Sequence, residues 1–577
     1  MRMIENLKDS TWQFKTAWLL VALFLIIELY YFSQLEYLPG PIYGGDIYAH
    51  HGFSINYRDN GFWTDPYFKG EYAFYPWLGN YLFILLTVLT GISLKTAMNF
   101  TPVITTFLGA IAFYFLGKVI FKSENKALLS MVLWVFYRGI PEAAPNNLLW
   151  LITIPLWFYF WLKVENETKT RDKLLMGIFI GLSSLSQVAF FLAGMAVFVF
   201  TILAENFVVN YKNGFINNIT NSFKKYSLAL FVGILISLLF YGPIIFVYHG
   251  KTLNPLFQYN GPDIDTLGVS YVAKGLLRGF FNFDDVTSFL ISSLSFLGLL
   301  FCALNYKKKE MRFVLLWFVA GFLAPLHHLI TRPLFDKWTL PTHLWGTNIS
   351  MFIFFVLGVQ FLLSFSKYAK EFDKKIKYVI ILLLILFLLN YNIKGYTDNP
   401  WAKSATQKNP SMDAWWSLGE WIQKNTEIND VFIAFDETCF AMNGVSGRKC
   451  VMTRRTHANY FVDVDERAAD SVVALFGNST EKTKEILKKY DVKYFLADPM
   501  LVQGYQKVLP KYENYLTQHG VKFVKVRDRL DPSLNEARQF DILAVQFQNL
   551  TLSTLLEPVI EFKVEDRPYL QVFKIKD

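Results

Sequence analysis

The 577-residue chain is 53% hydrophobic and 18% aromatic, and only 18% of it is charged, against about 25% in a typical soluble domain. The apolar content excludes disorder, and the length with only three cysteines excludes a small disulfide scaffold. The formal net charge of +9 would suit an acidic partner such as nucleic acid if it lay on one soluble face, but its placement along the chain points to a membrane instead.

Apolar runs recur up to residue 393 and then stop. A helix needs roughly 20 apolar residues to cross about 30 Å of hydrocarbon. Spans are predicted over 15–33, 98–120, 126–138, 146–164, 174–188, 189–206, 227–247, 286–305, 311–330, 346–365 and 377–394. The first run is too long for a signal-peptide core and lacks a small-residue cleavage site, which predicts that it is retained. Segment 77–94 (WLGNYLFILLTVLTGISL) is read as a helix in or at the outer leaflet. That choice leaves six Lys-rich loops on one side: 1–14, 121–126, 165–173, 207–226, 306–310 and 366–376. With their flanks these loops carry 22 Lys and Arg against 10 Asp and Glu, whereas the rest of the membrane half has 10 against 12. The positive-inside rule then predicts about 11 spans, a cytoplasmic N-terminus and an outward C-terminus, in a multi-pass protein of the cell membrane.

Residues 395–577 hold 24 basic and 25 acidic residues and read as soluble α/β. Strand-like runs at 431–435, 492–497, 521–526 and 542–546 alternate with helical stretches, among them 480–490 with Asn478 or Ser479 as its cap. The predicted fold class is thus a polytopic α-helical membrane domain, 1–394, with a first outer loop at 34–97, followed by an extracytoplasmic α/β domain, 395–577. Cys439 and Cys450 both fall in the outer part, 11 residues apart, where a disulfide and two free thiols are equally open readings.

The first outer loop is long, aromatic and acid-bearing. Asp46 follows two glycines soon after the first span, and His50 stands at i+4, on the same face of a helix. A carboxylate there suits a general base or a ligand for a divalent cation; it equally suits the cap of a helix starting at Ile47. Glu28 lies inside the first span, either facing protein or reaching the outer interface. In the next outer loop Arg138 stands close to Glu142, with which it could pair, or it could contact phosphate. Loop 248–285 carries Asp263 and Asp265 as candidates for sugar hydroxyls or metal, or as solvated loop acids. After the ninth span come Arg332, Lys337 and His343; the two cations could bind a phosphate or anchor the interface.

These features resemble the GT-C superfamily, membrane glycosyltransferases that use polyprenyl-phosphate-linked sugars. The resemblance rests on Gly45-Asp46 with His50 after the first span, the aromatic loop ending in Tyr75-Pro76, and the juxtamembrane apolar helix that comes next. It implies that Asp46 is the catalytic base or a metal ligand, that Glu142 is the second acid by position, and that a divalent cation (Mg or Mn) is a cofactor held by Asp46 and Glu142. It implies a substrate-binding set of His50, Arg138, Arg332, Lys337, His343, Asp263 and Asp265. The segment MDAWWSLGEWIQKNTEINDVFIAF is similar to the start of the outer domain of oligosaccharyltransferase catalytic subunits. Their WWDYG signature comes after the strand, where this chain has Ala434-Phe435-Asp436-Glu437-Thr438 and keeps only the Asp.

The function implied is transfer of a sugar from a polyprenyl-phosphate donor to a glycan, lipid or protein acceptor on the outer side. The alternatives are an oligosaccharyltransferase catalytic subunit and a non-enzymatic transporter or flippase for lipid-linked sugar.

Overall fold

The computed structural model describes residues 12–138, 140, 145–209, 215–253, 274, 277–323, 348–365, 373–530 and 539–576. Its contacts divide the chain into two compact units. One comprises Met1–Gln34, Phe100–Leu239 and Ile264–Pro400; the other comprises Leu35–Asn99, Phe240–Asp263 and Trp401–Asp577. The division differs from a cut at 394: most of the first outer loop packs with the C-terminal part.

Among the described residues a helix occurs at every predicted span. In chain order the helices are α1 (Trp12–Ser33), α2 (Asp46–Asn60), α3 (Leu78–Thr90), α4 (Leu94–Phe121), α5 (Glu124–Arg138), α6 (Pro145–Asn166), α7 (Thr170–Ser186), α8 (Val188–Val209), α9 (Phe215–Phe246), α10 (Val286–Leu304), α11 (Lys309–Leu323), α12 (Asn348–Phe365) and α13 (Asp373–Asp398). Six of the described helices are long and apolar enough to cross a membrane, within α1, α4, α8, α9, α10 and α13. α5, α7 and α11 have 15, 17 and 15 described residues, and of these only α7 is bounded at both ends by described residues outside the helix, at a length below the roughly 20 a crossing takes.

The first unit is held together by aromatic side chains and by close backbone approach. Phe113 stacks on Trp134 with centroids 3.9 Å apart, and Trp157, Trp161 and Trp317 are fully buried. α10 and α12 touch backbone to backbone: a β-carbon on Gly298 would stand 1.7 Å from the Phe354 carbonyl oxygen, and one on Gly358 1.9 Å from that of Leu294. Small residues at such crossings allow dispersion contact that lipid cannot supply. Glu28, fully buried in α1, accepts from the Thr106 hydroxyl (2.9 Å), which accepts in turn from Arg138 Nη1 (2.8 Å). Glu28 therefore faces protein, and three helices share one polar link.

The second unit contains α2, α3 and, in its C-terminal part, α14 (Pro400–Ala405), α15 (Pro410–Asn425), α16 (Asp436–Ser446), α17 (Val464–Phe476), α18 (Thr480–Lys489), α19 (Pro499–Gln503) and α20 (Glu513–Gln518). Its strands are β1 (Val431–Ile433), β2 (Lys449–Cys450), β3 (Val492–Ala497), β4 (Tyr505–Val508), β5 (Val524–Arg529), β6 (Gln539–Gln546), β7 (Leu556–Val564) and β8 (Arg567–Ile575). Five form a sheet ordered β2-β1-β3-β8-β7, parallel over the first three and antiparallel after; β4-β6-β5 form a second, antiparallel sheet. α18 is capped as predicted, Ser479 Oγ accepting from Lys482 N at 3.2 Å.

The α2–α16 contact joins the first outer loop to the C-terminal part. Gly52 lies so close to α16 that a β-carbon would meet the Asn443 carbonyl oxygen at 2.3 Å. The Gly444 carbonyl is 2.7 Å from His51 Nδ1, and Cys450 N donates to Tyr67 O at 2.8 Å. Cys439 and Cys450 are buried free thiols, the Cys450 Sγ standing 3.4 Å from the Cys439 carbonyl oxygen.

Candidate active site

The turn that delivers Asp46 is set by its glycines and one arginine. Gly44 has φ +126°, and a β-carbon there would lie 2.1 Å from Arg454 Nη1. Only glycine meets both demands. The Arg454 guanidinium donates to the carbonyls of Tyr43 (2.9 Å) and Gly44 (3.2 Å), and it grips Glu437 in a two-pronged ion pair of 2.9 and 2.5 Å. Both side chains of that pair are largely buried, so the planar fork holds the turn in one geometry.

Gly45 is the N-cap residue of α2 and makes no side-chain cap bond; Asp46 is the first helical residue. The carboxylate therefore does not cap the helix. It stays 75% exposed and meets the half-buried ring of His457, whose Nε2 lies 2.9 Å from Asp46 Oδ1. His457 closes the short turn of Arg455–His457; its Nδ1 is 3.1 Å from the Thr456 hydroxyl and its ring lies on Phe440, centroids 5.0 Å apart. The His457 hydrogen bond, outweighing partial burial and aided by the charges of His457 and Arg454, holds the Asp46 carboxyl below the usual carboxylate range. An ionised carboxylate with one oxygen engaged leaves Oδ2 for a reacting group.

The helix behind it is packed with dry imidazoles. His50 sits one turn after Asp46, its ring 5.3 Å from that of Tyr75 and 5.6 Å from that of Phe53. Burial pushes His50 and His51 down to about 4, so both are neutral near pH 7. Asn80 of α3 donates to the His50 carbonyl at 2.9 Å and to Ser54 Oγ at 3.0 Å, tying the two helices together.

The aromatic loop between α2 and α3 folds around Asp65. This buried carboxylate accepts from Tyr67 N (2.6 Å), Phe68 N (2.8 Å) and Asn459 Nδ2 (2.6 Å). Burial raises it to about 6, and burial also lowers Lys449, which donates to the Asp65 carbonyl, to about 8.

Of the predicted site residues, Asp46 and His50 come together in the second unit. Arg138 takes part in the link to Thr106 and Glu28 in the first. Glu142, Asp263, Asp265, Arg332, Lys337 and His343 lie outside the described residues. Among those described, no group of three or more His, Cys, Asp or Glu could hold a metal ion. Glu142, the other expected ligand, lies outside those residues, and Asp46 with His457 offers a carboxylate open both to proton transfer and to a share in holding a cation. Two residues absent from the predicted set stand at its centre, Arg454 and His457. The signal for them was the run Thr453-Arg454-Arg455-Thr456-His457, a knot of positive residues in an otherwise neutral half. At the position of the WWDYG signature, Glu437 is taken up by Arg454, and Asp436 lies 4.0 Å from the buried Arg455.

No sequence family matches the chain, and no curated protein does. Solved structures do match. The oligosaccharyltransferase of Archaeoglobus fulgidus, tethered with an acceptor peptide containing an NVT sequon, aligns over 85% of this chain and 70% of its own at 14% identity, with a TM-score of 0.51. The fold is the GT-C fold. The same archaeal enzyme in complex with an inhibitory peptide and a dolichol-phosphate aligns over the same shares at 14% identity and TM-score 0.50. ArnT from Cupriavidus metallidurans, bound to undecaprenyl phosphate, aligns over 91% of this chain and 97% of its own at 11% identity and TM-score 0.47. At such identities the GT-C likeness is one of architecture, and activity has to be argued from the site.

Proposed function

We propose that the chain is a glycosyltransferase that moves a sugar from a polyprenyl-phosphate-linked donor to an acceptor on the outer side of the membrane. The observation that carries this reading is the exposed, ionised Asp46 carboxylate held by His457 on a GT-C fold. The acceptor hydroxyl attacks the anomeric carbon, its proton passes to Asp46 Oδ2, and the sugar–phosphate bond breaks to release the polyprenyl phosphate. A carboxyl held low in pKa is a weak base, so it acts late, when the new bond has already made the hydroxyl proton acidic. His457, donating from Nε2, fixes which oxygen receives it. His50, neutral and buried behind the carboxylate, lines the helix rather than competing for the proton. Glu142, Arg332 and Lys337 remain the candidates for the second acid and for the cations at the donor phosphate.

The match to an oligosaccharyltransferase supports a second reading, transfer of glycan to peptide. Against it stands the pairing of Asp436 and Glu437 with Arg455 and Arg454, which turns the segment at the signature position inward. Mass spectrometry of glycans, glycolipids and glycopeptides with and without this gene separates the two. Asp46→Asn in the folded protein is expected to lower turnover by about 100-fold or more; full activity in that variant would sink the mechanism.

A further inference from the structure

Among the described residues of the first unit, a cavity of about 570 Å³ opens where two of the Lys-rich loops meet. That volume lies within the roughly 300–1,000 Å³ usual for ligand sites. It is at the Lys126 end of α5, opposite Arg138. Lys122 comes from the turn after α4 and Lys126 from the first turn of α5, Lys308 from the turn before α11 and Lys309 from its first residue, and Phe121, Phe301 and Leu357 give it an apolar flank.

The acids nearby are already engaged. Glu310 takes Lys122 at 2.7 Å, and Glu165 takes Lys309 at 2.7 Å and Lys225 at 2.9 Å. Lys126 and Lys308 pair with no carboxylate among the described residues, and both are exposed at the cavity. The Gln360 side-chain amide, on its wall, has a buried Nε2 with no hydrogen-bond partner among the described residues. Lys122 itself sits at φ +50°, a helix-ending conformation for which glycine is the ordinary choice. Unspent positive charge, an unfilled donor and an apolar flank match one kind of ligand, an anion with hydrocarbon attached.

We propose that this basic cavity binds the phosphate headgroup of an anionic membrane lipid, with its acyl chains along Phe121, Phe301 and Leu357. Basic pockets between membrane helices are suited to such headgroups. The cavity belongs to the first unit and Asp46 to the second, and the proposal does not depend on the glycosyl-transfer reading.

The test is native mass spectrometry of the full chain taken from micelles supplied with phosphatidylglycerol or phosphatidylcholine. The wild type is expected to retain phosphatidylglycerol and not phosphatidylcholine. Lys126→Gln/Lys308→Gln is expected to retain about tenfold less, with an unchanged melting temperature in phosphatidylcholine. A control, Lys173→Gln/Lys224→Gln, removes the same charge away from the cavity and is expected to behave as wild type. Equal retention in wild type and cavity variant, or equal loss in the control, would overturn the proposal. Displacement of the lipid by inorganic phosphate would assign the cavity to the free anion and overturn the lipid source.

Discussion

At the scale of single residues, the proposed chemistry turns on how Asp46 is held. Its position was legible, because two glycines and an acid directly after an apolar run is a local pattern. Its partner was not, because His457 is 411 residues away, and the basic run 453–457 marks a site of charge without saying which acid it meets. If His457 positions the carboxylate through one charge-assisted bond, His457→Ala is expected to lower kcat by about 10–100-fold. KM should change little, and His457→Gln, which keeps a donor, should recover part of the loss. A fall in stability without that split in the steady-state kinetics would assign His457 a packing role only. The buried imidazoles make a different prediction. His51 titrates near 4 in the fold and near 6.5 when unfolded, so the unfolded chain binds a proton first as pH falls. Its contribution to stability is complete above about 6.5 and is lost between about 6.5 and 4. Asp65, raised to about 6, acts with the opposite sign over part of that range, so the informative quantity is a difference. Relative to His51→Gln, the wild type should lose on the order of 2–3 kcal/mol across that window in chemical denaturation; parallel curves would exclude it.

At the scale of elements, the apolar runs told where the helices lie, since eleven runs became eleven helices. They did not tell which helices touch. The α2–α16 contact depends on Gly52, Gly444 and Gly447, where missing side chains rather than present ones bring backbones together, and no hydropathy pattern records that. Gly52→Ala should force α2 off Asn443, costing about 1–3 kcal/mol of stability. It should also lower turnover, because α2 carries Asp46; thermal unfolding and steady-state rates on one preparation check both. The hairpin β7–β8 was missed for a related reason. Val564 pairs with Arg567 across a two-residue turn, Glu565-Asp566, both at positive φ. Such turns usually advertise themselves with Asn-Gly or Asp-Gly, and two acids do not.

At the scale of the whole molecule, the positive charge that first looked like a trait of the chain belongs to particular loops, two of which line the basic cavity. That distribution predicts the Lys-rich loops inside and residues 401–577 outside. On intact cells an impermeant maleimide should label Glu485→Cys, on the exposed face of α18, and leave Lys224→Cys unlabelled until the membrane is opened. The reverse pattern would invert the topology and place Asp46 on the wrong side for the proposed donor. The division of the fold was the least legible feature. A boundary drawn along the chain separates residues before 394 from those after it, whereas the contacts gather 35–99 with 401–577. Chain order carries no information about which distant segment will return to complete an early loop.

The grip of Arg454 on the Gly44 carbonyl bears on how the protein is made. The two residues are 410 apart, and at about 5–20 residues per second of synthesis the loop waits some tens of seconds for its clamp. During that interval Asp46 is already made but has neither the guanidinium that shapes its turn nor the imidazole that aims it. A nascent chain therefore lacks the assembled Asp46 centre, which forms only when the C-terminal part has emerged and closed on the loop.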